Sequence, residues 1–178
     1  MKSAARLIIL ALSAYGTVLA QKPPEGVKRS VDSFTGDTVW ETKYGRLDEP
    51  HGCGRPDLAI VWKFTRGPQS LTEWLTYDYI DITTPFHTSR WLGAVQAAVN
   101  VDGRIIEAKE HPLSPHIDSG DPGTKKEAGA FILPDGTLRL VADAKVAKIR
   151  LLGTERTCDG VVEQNMKDRL HSLLDAAR

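Results

Sequence analysis

The chain has 178 residues, with 23 basic and 23 acidic side chains and a formal net charge of zero. Its two basic doublets, Lys28-Arg29 and Lys125-Lys126, lack interleaved aromatics, so the clustered basic face that a nucleic-acid partner requires is not expected. Its length suits one ordinary domain rather than several.

Residues 1–20, MKSAARLIILALSAYGTVLA, read as a secretory signal. Lys2 and Arg6 give the positive start, Leu7 to Ala14 the short apolar run, and Val18 and Ala20 the small residues ahead of a cleavage point before Gln21. A membrane span needs about 20 apolar residues, and this run is broken by Ser13 and Gly16. No cysteine follows it to accept a lipid. The expected location is secreted or periplasmic, with no membrane anchor after cleavage. The 158 residues beyond the signal carry 21 basic and 23 acidic groups. Residues 21–30, QKPPEGVKRS, read as a flexible leader, and 31–178 as a single domain.

In VDSFTGDTVWETKY the alternation predicts a strand with Thr38, Trp40, Thr42 and Tyr44 on one face. GRLDEPHGCGRP is dense in turn residues and reads as a loop. DLAIVWKFT alternates again, with Leu58, Ile60, Trp62 and Phe64 together and core packing expected for Trp40 and Trp62. Ser70-Leu71-Thr72-Glu73 matches a capping box that opens a helical turn, ahead of a strand in WLTYDYIDITT.

AVQAAVN-VDGR-IIEAKE predicts a hairpin turning at Asp102-Gly103, with Val101 opposite Arg104, Val99 opposite Ile106 and Ala97 opposite Ala108. Val95, Ala97, Val99 and Ile106 then form its core face. Pro134-Asp135 begins a helix with Leu138, Val141 and Ala142 at helical spacing, a second hairpin through Pro-Asp-Gly being the alternative. Val146–Leu152 reads as a strand. The end of the chain, from Asp159 as a cap, reads as an amphipathic helix with Val162, Met166, Leu170, Leu173, Leu174 and Ala177 on one face. Strands preceding helices on short connections give an α+β fold, an antiparallel sheet of about five to six strands with one or two helices packed on it.

Cys53 and Cys158 both come after the signal, and in an oxidising compartment two cysteines most simply pair; two unpaired buried thiols are the alternative. Such a bridge closes a loop of roughly 100 residues and stabilises by about 4–5 kcal/mol in the chain-entropy model.

The chemistry-bearing stretch is EHPLSPHIDSGDPG, with His111, His116, Asp118 and Asp121. His and carboxylate side chains in this pattern are the ligand types of a metal site or the partners of an acid–base pair. Pro112 and Pro115 exclude the regular helix that would bring both rings to one side, so only a loop converges them. A P-loop, a dinucleotide turn and a Gly-x-Ser-x-Gly elbow are absent. Trp91, in the turn-like HTSRWLG, is a candidate contact residue for a binding partner.

Asp32-x-Phe34-x-Gly36 before a Trp-bearing strand, the VNVDGRIIEA hairpin, and LRLVADAKVAKIRLLG leading into a terminal helix resemble small exported bacterial proteins of unknown function. The resemblance implies a bacterial envelope or secreted protein with an α+β fold, and it carries no catalytic residue across. The leading expectation is a non-catalytic exported domain, without a resident cofactor, that binds a ligand or an envelope protein. The alternatives are a hydrolase using metal or acid–base groups from His111 to Asp121, and a structural accessory protein.

Overall fold

The computed structural model describes residues 23–51, 57–67, 70–86, 88–110, 116–118 and 123–178. The expected signal lies outside them. The strands, in chain order, are β1 (Val27–Val31), β2 (Thr38–Thr42), β3 (Gly45–Arg46), β4 (Asp48–His51), β5 (Asp57–Arg66) and β6 (Leu71–Ile82). They continue with β7 (Ala94–Val101), β8 (Arg104–Glu107), β9 (Lys109–Glu110), β10 (His116–Asp118) and β11 (Thr124–Leu133). Helix α1 (Thr137–Asp143), β12 (Ala147–Gly153), β13 (Thr157–Val161) and α2 (Gln164–Ala176) complete the chain.

The fold is α+β, and among the described residues its strands divide between two antiparallel sheets where the sequence pointed to one. The larger runs β1-β2-β5-β6-β11-β10, with β3 also on β5 and β9 also on β11; the smaller runs β4-β13-β12-β7-β8. Alternation along the strands builds one continuous core. Leu58, Ile60, Trp62 and Phe64 of β5 are buried with Leu75, Tyr77 and Tyr79 of β6. Ala97, Val99, Ile149 and Leu151 of the smaller sheet join them, and Leu138, Val141, Met166 and Leu170 close the core from the two helices. The hairpin register is as the turn chemistry predicts: Val101 opposite Arg104 and Val99 opposite Ile106, through Asp102 and Gly103 at φ 49° and 95°. The Ala108 N–H donates to Ala97 O at 2.9 Å. Val95 departs from the expected core face and is exposed, because the β7–β12 register shifts near that end.

Several local expectations are corrected by long-range partners. The segment read as leader supplies four of the five residues of β1, whose Val27 is buried and which pairs with β2 along its length. Part of the GRLDEPHGCGRP loop forms β3 and β4 because β5 and β13 offer ladder partners. Cys158 to Val161 belongs to β13, and Asp159 accepts from Arg150 at 2.8 and 2.7 Å instead of capping α2. The predicted apolar face of α2 is nevertheless buried in full, from Val162 to Ala177.

The Ser70–Glu73 capping box does not open a helix. Glu73 is a buried residue of β6, and its carboxylate accepts the Gly136 and Leu138 N–H groups at 2.9 and 2.7 Å. It therefore caps α1, which has no side-chain cap of its own. The other end of α1 is closed by the buried Lys167, whose Nζ donates to Ala144 O and Lys145 O at 3.2 Å each.

Replacing Glu73 by Ala strands two backbone donors, and urea unfolding should show a loss of about 1–3 kcal/mol or more. Burial holds the Glu73 carboxyl above its ordinary 4.5, outweighing the amides that lower it. Its protonated form is thus the better tolerated one in the folded chain. The stability margin of the native protein over Glu73→Gln should be greatest below pH 4.5 and narrow as pH rises through the raised value. A margin that widens with pH would show that the amides dominate.

Candidate functional site

A bulge shapes the outer face of the larger sheet. β2 pairs with β5 as far as Glu41 opposite Lys63, and β3 resumes with Gly45 opposite Ile60. Four steps along β2–β3 thus match three along β5, and the extra residue reverses the facing of the side chains beyond it. Trp40 and Thr42 remain buried, but Tyr44, predicted to join them, is 63% exposed on the other side. The chain then re-enters at Gly45, where a Cβ would lie 2.6 Å from Met166 Cγ, so any larger residue requires the Met166 side chain on α2 to move.

The result is an open hollow of about 590 Å3. Val61 and Thr76, paired across β5 and β6, make its floor, and Lys28, Glu41, Lys43 and Tyr44 its walls. Its polar groups are partly committed. The Thr76 hydroxyl donates to Val61 O at 3.0 Å, and Lys63 Nζ lies 3.5 Å from Glu41 Oε1. The interaction of the Tyr44 phenol with Asp78, together with partial burial, raises its pKa above the usual 10.0. The side chains of Lys28 and Lys43 are exposed and have no ion-pair or hydrogen-bond partner among the described residues. Three lysines against two carboxylates leave the hollow with an excess of positive charge. Chemically it can hold an apolar or aromatic body against Val61 and Tyr44 while offering two ammonium groups to a polar end.

The interior acids serve a different purpose. Glu127, buried on β11, accepts the Tyr77 hydroxyl at 2.6 Å and the Gly93 and Ala94 N–H groups at 2.7 and 3.0 Å. Asp81, buried at the end of β6, accepts the Arg90 N–H at 3.0 Å and lies 3.3 Å from Arg156. Burial, with Glu127 beside it, pushes the Tyr77 phenol far above its ordinary pKa, and burial does the same for Tyr79 beside Asp81.

Of the residues singled out from the sequence, part lie among the described residues. His116 and Asp118 sit on β10, opposite Ala128 and Lys126 of β11, while His111 and Asp121 lie outside the described residues. Among the described residues no three His, Cys, Asp or Glu side chains group to hold a metal. Trp91 is half-buried, with Lys125 Nζ 4.8 Å above its ring and its backbone N–H on Glu155 Oε2 at 3.2 Å. Lys125 stands opposite Asp81, on the core-facing side of the sheet, whereas the hollow opens on the other. His51 on β4 stands opposite Asp159, next to the fully buried Cys158. No described cysteine is a free thiol, and Cys53 lies outside the described residues. β4 ends two residues before Cys53, so its pairing with β13 favours the Cys53–Cys158 bridge, which we propose.

Sequence reasoning missed the hollow. The one local signal for it is Gly45 directly after an alternating strand, since glycine inside a strand pattern marks a bulge or a close approach. Comparison with family models, characterised proteins and solved structures finds no match for the chain.

Two measurements check this geometry. Asp78→Asn should lower the Tyr44 pKa toward its ordinary value, followed by the tyrosine ring-carbon NMR shift through alkaline titration; an unmoved pKa would remove the Tyr44–Asp78 bond. Thiol titration of the denatured, non-reduced protein should find no free thiol, and reduction should lower stability by about 4–5 kcal/mol. Two thiols per chain would refute the bridge.

Proposed function

We propose that the chain is an exported binding domain that takes its ligand in the hollow on the outer face of the larger sheet. The observation that carries this is the bulge before Gly45, which turns Tyr44 out of the core onto a face that also carries two lysines without a partner among the described residues. Such an aromatic is a frequent anchor for a ligand, because it offers a large rigid surface at low entropic cost. The hollow is built on paired strands, so its walls are set before a ligand arrives, and preorganisation of this kind favours affinity. Export is supported by the character of residues 1–20, and two cysteines suited to a structural bridge belong to the same oxidising setting.

The test is a thermal-shift screen of the mature protein with metals, sugars, peptides, nucleotides and small organic acids, repeated on Tyr44→Ala. A compound that raises the melting temperature should lose its effect in Tyr44→Ala, whose own melting temperature should change little because the ring is mostly exposed. Compounds that stabilise both proteins equally would move the binding site elsewhere.

A further inference from the structure

We infer that the hollow selects ligands joining a small anionic group, such as a carboxylate or sulfonate, to an apolar or aromatic body. The inference rests on the reading of the hollow as the binding site. Its ground is charge and shape together. Opposite Glu41, Lys28 stands on β1, and Lys43 comes two residues after Glu41, so two cations flank one carboxylate. That carboxylate already faces Lys63 Nζ at 3.5 Å, and the other acid on this face, Asp78, already interacts with the Tyr44 phenol. Glu41 and Asp78 are engaged within the protein, and the two ammonium groups of Lys28 and Lys43 have no partner among the described residues.

A cationic ligand would have to displace Lys63 from Glu41 or Tyr44 from Asp78; an anionic one displaces only water. The floor of the hollow, the buried Val61 and the half-buried Thr76, with the Tyr44 ring beside it, gives the remainder of the ligand an apolar bed. A bare inorganic anion would leave this bed and the Tyr44 ring unused.

The decisive comparison is between two fluorescent probes of nearly the same apolar body. 8-Anilinonaphthalene-1-sulfonate carries the anion, and N-phenyl-1-naphthylamine lacks it. The sulfonate should bind the mature protein more tightly, and should weaken by about fivefold for each of Lys28→Met and Lys43→Met, the factor for one unit-charge pair at about 4 Å in water. Added salt should weaken it in parallel. Lys148→Met, on the exposed face of the smaller sheet, should leave it unchanged. Methionine keeps the aliphatic stem, and each variant is checked by circular dichroism and melting.

Sulfonate binding that ignores both lysines but is lost in Tyr44→Ala, or equal affinity for the two probes, would overturn the anionic class and leave the hollow as the site. Binding of either probe that survives Tyr44→Ala undiminished would overturn the hollow itself. No sulfonate binding at all would overturn the inference as well.

Discussion

Three buried carboxylates on the core side of the larger sheet tie the molecule together. Glu73, Asp81 and Glu127 each accept backbone N–H groups from a segment that pairs with neither β6 nor β11 at that point: the start of α1, the Arg90 turn, and the entry to β7. Each is nearly inaccessible to water. A carboxylate in such a place is tolerated only when its oxygens are hydrogen-bonded, and bonds to a charged acceptor are the stronger kind. The acids therefore fix how the connections leave the sheet. Glu127 in particular joins the larger sheet to the first long strand of the smaller one, and the Tyr77 ring reaches it by lying over Gly129, where any Cβ would collide.

This arrangement leaves the outer face of the larger sheet free of architectural duties. The ionisable groups on the core side are held by backbone donors, by tyrosine hydroxyls and by Arg156, so the interior is rigid and polar only where it must be. The outer face of the same sheet inherits that rigidity without the demands of packing. A single extra residue between β2 and β3 can then redirect a side chain to solvent with no change to the core behind it. The lysines at the hollow owe their position to the same parity, since β1 and β2 alternate between Val27 or Trp40 inward and Lys28 or Glu41 outward.

Legibility from the chain divides along sequence distance. The 94–107 hairpin was legible because Asp102-Gly103 dictates its own turn and, through it, the register. The faces of β5, α1 and α2 were legible because alternation or helical spacing names the buried side whichever partner supplies the burial. The capping box at Ser70–Glu73 misled because Glu73 satisfies the same kind of donor in trans, 63 and 65 residues away, as it would have locally. Asp159 misled in the same way, its lone pairs being taken by Arg150 across a ladder. The histidine–aspartate stretch attracted attention through composition alone, and its described part, His116–Asp118, pairs with β11.

The sequence by itself determined the α+β class, most of the residues that form the core, and the tightest turn. These depend on local periodicity and on backbone preferences of a few adjacent residues. Tertiary structure alone decided the division into two sheets, the employment of Glu73, Asp81 and Glu127, and the side on which Tyr44 emerges. Each of these is a choice of partner made outside the element itself, by a facing strand, a helix start or a connection. A shift of one residue in such a pairing reverses every side chain beyond it. The alternation of TVWETKY says that Tyr44 shares a face with Trp40; the register of β5 says that it does not, and the physical consequence is the hollow.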